Sequence, residues 1–355
     1  MLHSFSFRKQ TCCKVLFSLT ALTFAAFAFV GCNPSDKKQD SSTATQSPSS
    51  DFKVALVASG PTSDNGWNAG GLKGLETVKA ELGLKDDQVA SVDNQKSASE
   101  QEKSLTAFAS KKFNVVFAHG NEYEEIALKI EKDFPKTLFV ISSGRKIGSN
   151  TTPIVLQLED GAYLEGMLAG GMSKTGKVAM VGAMDIAPVK SVFTAFEKGA
   201  KAVNPKIQVL KAVYTGSWDD PNKAKSATLP LIDQGADFIM QDVDAAAQGV
   251  FGAVQEKNKS GKQVYALGTN SDQNAAAPDV VIASAPIYNE KVWVMIAKGV
   301  KDGTFKPTDK PFDMKSGAIG FVLNPELASK IPADLKQKIE EAQKKIASGT
   351  MNVTK

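Results

Sequence analysis

A short apolar run, a turn and an amphipathic helix recur along most of this chain, and that alternation restricts the fold more than any other feature. In the first such unit Val54, Leu56 and Val57 belong to an apolar run typical of strands buried on both faces. Gly60-Pro61 ends the run, and residues 62–66 supply turn and N-cap residues. Gly71, Leu75, Val78 and Leu82 then recur at helical spacing and give the helix an inner stripe. Further strands are expected at residues 89–92, 115–118, 137–141 and 154–158, with helices at 97–111 and 124–132 between them. An apolar, small-residue helix over 161–173 opens a second series. Its strands are expected at 178–182, 208–214, 238–240 and 263–267, and its helices at 189–202, 222–234 and 246–257. Alternation of this kind predicts an α/β protein with parallel sheets covered on both faces.

The tail extends the second series less regularly, with strands at 280–283 and 318–322 and helices at 289–300 and 332–348. Two doubly wound lobes with leftover elements imply a chain that crosses between them more than once. The expected crossings lie near Glu159, near Thr269 and within residues 302–315. One lobe would then hold residues 52–158 with 270–303, and the other 159–269 with 304–355. Such crossings make a hinge, and the cleft between the lobes makes a pocket.

The first thirty-one residues read as a signal peptide. Arg8, Lys9 and Lys14 form a positive start, residues 15–30 are apolar and uncharged, and Phe29-Val30-Gly31-Cys32 follows. That ending is similar to a bacterial lipobox, with Phe29 in place of the usual Leu. Cleavage would leave Cys32 as the acylated first residue and remove Cys12 and Cys13. Residues 32–51, rich in Ser, Thr, Gln, Asp and Lys, have too little apolar surface to order themselves and read as a tether. The body would thus be anchored to a membrane through lipid on Cys32 and face the extracytoplasmic side. Of the net charge of +4, three positives belong to the signal, which leaves +1 for the remainder and argues against nucleic acid as a partner.

Catalytic motifs are scarce. Of the two histidines, His3 belongs to the signal and His119 stands alone, without HExxH or G-x-S-x-G nearby. Residues 171–178, GMSKTGKV, have phosphate-loop spacing but end in Val and run from helix into strand, the reverse of a phosphate cradle. Neither a metal, a cofactor nor an enzymatic activity is expected. What remains is a set of aromatic and polar residues at the carboxyl ends of strands, where open α/β sheets bind ligands. These are Trp67 and Asn68 after the first strand, Glu122 and Tyr123 in the HGNEY stretch, Trp218 in the second lobe, Asp242 and Asp244, and Asp272 with Asn270 and Ser271. Two indoles, one from each lobe, would stack on a flat ring.

With these residues in place, the chain resembles the basic membrane protein family of ABC-transporter substrate-binding lipoproteins, which includes the purine-nucleoside receptors of spirochaetes. The likeness runs from Lys53 to about Ala347 and rests on SDNGWN, GAYLEGMLAGGMSKTGKVAMVG, TGSWDDPNKAKSATLPLIDQGADFIMQ and GTNSDQ. It implies a type I periplasmic binding protein fold, two lobes on a three-strand hinge, serving an ABC permease. It further implies a purine held between Trp67 and Trp218, with Asn68 beside it, Glu122 reading the base edge and Asp272 holding ribose hydroxyls. Nucleoside-binding members carry a Lys after the strand that corresponds to residues 280–283. Here Ser284-Ala285-Pro286-Ile287 stands there and the next Lys is Lys291. The resemblance therefore implies a planar heteroaromatic ligand without implying its ribose. Two other classes are a sensor lipoprotein that feeds a receptor, which needs the same cleft, and a nucleoside-cleaving enzyme, which the scarcity of catalytic motifs disfavours.

Overall fold

The computed structural model describes residues 51–64 and 66–354. The expected signal peptide (1–31), Cys32 and nearly all of the expected tether lie outside them. Strands and helices alternate from the start as β1 (Val54–Ala58), α1 (Trp67–Leu82), β2 (Val89–Val92), α2 (Ala98–Ser110), β3 (Val115–His119), α3 (Glu124–Ile130), β4 (Leu138–Ser142) and β5 (Thr151–Ile154). The five strands form one parallel sheet in the order β2-β1-β3-β4-β5. Every residue of β1 and β3 is buried, as their unbroken apolar runs demand.

The second lobe opens with α4 (Glu159–Met172), β6 (Lys177–Gly182) and α5 (Ala187–Val203), followed by the short strands β7 (Gln208–Val209) and β8 (Val213–Tyr214). Then come α6 (Pro221–Asp233), β9 (Phe238–Asp242), α7 (Ala247–Lys259), β10 (Tyr265–Asn270) and β11 (Val281–Pro286). The small residues of α4 have a packing reason. A Cβ at Gly166 would lie 2.0 Å from the Phe196 carbonyl oxygen, and one at Gly199 would lie 2.0 Å from that of Tyr163. The backbones of α4 and α5 thus touch, and Leu164, Leu168 and Phe196 fill the core around the contact. Residues 171–178 are a helix end and a turn, because α4 stops at Met172 and β6 starts at Lys177.

The last part is α8 (Asn289–Lys301), β12 (Val322–Leu323) and α9 (Ala333–Ala347). The second sheet has the order β12-β11-β10-β9-β6-β7, with β8 also on β6, and is parallel except for β12. The assignment of residues 270–286 to the first lobe is corrected by this topology. β11 pairs with β10 from Leu267↔Ala283 to Asn270↔Pro286, so its apolar residues extend the second sheet. The crossing falls at Pro286, not at Thr269. Helix α8 then returns to the first lobe, where Trp293 stacks on Phe117 at 4.1 Å. The third hinge segment runs from Phe312, inside the 302–315 stretch in which the crossing was expected, to Gly320.

Three extended segments join the lobes through a short ladder. Phe312 N–H donates to the Val155 carbonyl and Gln157 N–H to that of Phe312. Tyr288 N–H donates to the Ala318 carbonyl and Gly320 N–H to that of Pro286. Bridges at Leu156–Phe312 and Ile287–Ile319 complete the three-strand hinge. Among the described residues no helix is long and apolar enough to cross a membrane.

Candidate functional site

The carboxyl ends of β1 and β3 face those of β9 and β10 across a cleft, which encloses a cavity of about 700 Å³. That volume lies within the range of small-molecule sites. Trp67, Asn68 and Glu122 line it from the first lobe, and Trp218, Asp244 and Asn270 from the second.

Trp67 is the first residue of α1, and its position is set before any ligand arrives. Its indole stacks on the imidazole of His119 at 4.2 Å with 12° between the planes. The indole N–H donates to the His119 carbonyl (3.2 Å), while His119 Nε2 lies 2.8 Å from the Trp67 carbonyl. A carbonyl only accepts, so Nε2 carries the proton and Nδ1 accepts from the Ser142 hydroxyl at 2.8 Å. Burial pushes His119 down to about 4, so the ring is neutral at ordinary pH. Behind it the edge of His119 meets Trp293 at 5.3 Å, and Trp293 rests on Phe117. An aromatic column therefore runs from the cavity into the core of the first lobe. Gly71 makes room for it, since a Cβ there would lie 2.8 Å from the imidazole.

Asp64 organises the turn before α1. Its carboxylate accepts from the N–H groups of Gly66, Asn68 and Ala69 at 2.8–2.9 Å, which satisfies donors at the helix start. Asn68 is buried, donates to the same carboxylate and accepts from Gly60 N–H, so its amide holds the β1–α1 loop.

On the other wall, Asn270 and Asp244 both adopt left-handed backbone conformations, with φ of 65° and 48°. The Asn270 amide donates to Asp244 (2.9 Å) and to Asp242 (3.3 Å). Asp244 also lies against Gly66, its Oδ1 3.3 Å from where a Cβ there would stand, so a second-lobe carboxyl group reaches the start of a first-lobe helix. Burial, followed by the nearby charges of Asp242 and Asp64, raises Asp244 well above the usual carboxylate range, and burial lifts Asp242 to about 6. Behind Asp242 lies Glu165 of α4, fully buried and raised well above the usual range by burial and then by Asp242. At the cavity mouth Lys96 and Asp219 form an ion pair between the lobes at 3.1 Å. Hydrogen bonds from Ser217 and Lys96 hold Asp219 below the usual range.

Two sites expected from sequence lie elsewhere. Tyr123 is fully buried in the first-lobe core, because the turn Asn121–Tyr123 carries its ring inward beneath α3 while Glu122 points to the cavity. Asp272 is exposed and accepts from the Asn274 N–H two residues on, a local turn bond. The left-handed turn at Asn270 puts that residue, not Asp272, on the cavity wall. Asp64 and Lys96 are lining residues that sequence reasoning did not single out, Asn270 was named there only beside Asp272, and His119 is the support it did not foresee. Only the GTNSDQ motif offered a signal, and it fits either register. Among the described residues no group of three or more His, Cys, Asp or Glu is arranged to hold a metal ion.

Residues 52–355 match the family described as ABC transporter substrate-binding protein, PnrA-like. The chain is 29% identical to a purine-binding protein of Brucella abortus over 85% of its own length and 82% of that protein's. It is 25% identical to the ABC transporter nucleoside-binding protein BmpA of Lactococcus lactis, over 96% and 99% of the two chains. The fold is similar to that of a solute-binding protein of an ABC transporter system from Aeropyrum pernix, with a TM-score of 0.75, 21% identity and coverage of 85% and 92%. All three are named as binding proteins. The chain belongs to the PnrA-like family of ABC transporter substrate-binding proteins.

Proposed function

We propose that this substrate-binding protein captures a purine, as base or nucleoside, between Trp67 and Trp218 and passes it to an ABC permease from a lipid anchor on Cys32. The observation that carries this reading is that two indoles from different lobes line one cavity of about 700 Å³. One of them is already fixed edge and face by His119. A purine offers two π-faces to the indoles, and its ring edges would face Glu122, Asp244 and Asn270, which supply carboxyl and amide groups. The names of the Brucella and Lactococcus relatives point to the same ligand class. Capture needs no covalent step, because a ligand that touches both lobes favours the closed form by its differential affinity. The anchor rests on the sequence before Cys32 and on the tether after it.

A thermal-shift panel of nucleobases, nucleosides, sugars and amino acids tests the ligand class. At a ligand concentration about 100 times Kd, binding adds about 2.7 kcal/mol of stability. Purines should raise the melting temperature while sugars and amino acids leave it unchanged. A shift confined to sugars or amino acids would refute the reading.

A further inference from the structure

Three carboxyl groups meet at the floor of the second lobe with few donors between them. Glu165 of α4 is fully buried, and neither of its oxygens has a hydrogen-bond partner. Asp242, at the end of β9, is the charged group that acts on it. Asp242 and Asp244 share one amide, that of Asn270, at 3.3 and 2.9 Å. Among the described residues no base faces this set. Helix α5 contributes Val192, Phe193 and Phe196 to the core it shares with α4, and its Lys190 is at the surface, paired with Asp185. From the first lobe Asp64 faces Asp244, its own carboxylate already taken by the start of α1 and the Asn68 amide. Glu122 lines the same cavity, and Lys96, the one base of that lining among the described residues, is paired with Asp219. His119 lies behind Trp67 as a neutral ring. The hinge makes this set sensitive to closure. Asp242 and Asp244 stand on the cavity wall, and Asp244 Oδ1 lies against Gly66 of the first lobe. Opening the hinge would part Asp244 from that loop and return both carboxyl groups to water. Closing it over a neutral ring removes the water, adds no positive charge and sets Asp244 near Asp64. Glu165 belongs to the second-lobe core and keeps its surroundings in either form.

We propose that this floor is a proton site coupled to capture: Glu165 holds one proton at neutral pH whether the lobes are open or closed, and the Asp242/Asp244 pair takes up a second when they close on a neutral ligand. The inference rests on the purine reading above only for the ligand's neutrality. A buried acid with no donor beside it and another acid facing it is stable only uncharged. Two carboxyl groups that share one amide and lose their water keep a proton between them, and that proton belongs to the pair rather than to either member. Burial raises both in this arrangement, Asp242 to about 6. A form that binds a proton more tightly is favoured at low pH and loses that advantage as pH rises. Affinity is therefore greatest in mildly acid solution and declines towards alkaline pH.

Two measurements test the two protons. Calorimetric titration with adenosine and guanosine, neither of which changes charge between about pH 5.5 and about 8, is run in buffers of different ionisation enthalpy and yields the protons taken up on binding. Uptake should be about 0.5–1 proton at about pH 7, and Kd should rise about tenfold across that range. Asp244→Asn, an uncharged mimic of the protonated pair, should flatten the pH profile and bring uptake close to zero, and Asp242→Asn, which removes the other member, should do the same. Proton release, no uptake or a flat profile in the wild type would overturn the inference, as would uptake that both substitutions leave intact. Infrared spectra of the ligand-free protein at neutral pH should show a carboxylic-acid C=O stretch that Glu165→Gln removes, while the uptake on binding stays as in the wild type. Absence of that band, or loss of uptake in Glu165→Gln, would overturn the assignment of the resident proton. Failure of both nucleosides and of free bases to bind at any pH would defeat the purine reading and take the uptake on closure with it, a result distinct from the others because the infrared band is read without ligand.

Discussion

Truncation of the two indoles probes the clamp most directly, and the structure predicts different side effects for each. In Trp67→Ala a ligand loses one stacking face, which is worth about 1–3 kcal/mol, or roughly 5- to 150-fold in Kd. The same change strips the cover from His119 and leaves its carbonyl without the indole N–H. Trp67 is half-buried, so the stability loss should be about 2 kcal/mol, roughly half of that for a fully buried aromatic. Trp67→Phe keeps a face for the ligand but loses the bond to the His119 carbonyl, and should recover most of the affinity. Trp218 packs against both second-lobe cores and, among the described residues, has no such aromatic support. Trp218→Ala should therefore cost a similar stack, and Trp218→Phe should be the less effective rescue. Calorimetry with a purine nucleoside gives the affinities, and thermal melting of the ligand-free proteins shows that each variant is folded. If either alanine variant is folded and binds within about twofold of wild type, the ring it lacks is not a stacking face and the clamp is wrong.

Two further outcomes follow from the charges. Asp242 is raised to about 6, against about 3.9 in an unfolded chain, so the folded protein takes up this proton first as pH falls. Its ionised form costs up to about 3 kcal/mol above pH 6, and the cost is lifted as pH drops through 6 towards 4. Asp242→Asn should accordingly raise the melting temperature of the ligand-free protein at mildly alkaline pH, with the gain shrinking at acid pH; a gain that does not vary with pH would refute the assignment. The Lys96–Asp219 pair joins the lobes but is more than half exposed on both sides, so its coupling should be only about 0.2–1 kcal/mol. A Lys96→Ala, Asp219→Ala double-mutant cycle read by stopped-flow should put that coupling into ligand dissociation and lose it at high salt. Coupling found in the association rate would mean that the pair does not form on closure.

Comparison of particular residues shows where sequence reasoning succeeds. The buried strand β1, the helix start at Trp67 and the small-residue character of α4 follow from local composition, because each depends on neighbours within a turn or two. Trp67 and Trp218 were legible as residues at strand ends, and their presence on one cavity follows from the rule that such ends share an edge. The Asn270/Asp272 register was not legible. A left-handed φ at Asn270 decides which of two polar side chains faces the ligand, and either is compatible with GTNSDQ. Tyr123 was unreadable for a related reason, since one residue's rotation along a short turn separates cavity from core.

Local patterning by itself determined the alternation of strands and helices, the α/β class and the aromatic character of the site. Tertiary structure alone decided that β11 joins the second sheet, that His119 props Trp67, that Lys96 meets Asp219 and that the acids of both lobes converge on one cleft. The Trp67–His119 and Lys96–Asp219 contacts join residues 52 and 123 positions apart in the chain. No periodicity extends that far; strand order and the hinge bring such residues together, and burial then fixes their charges.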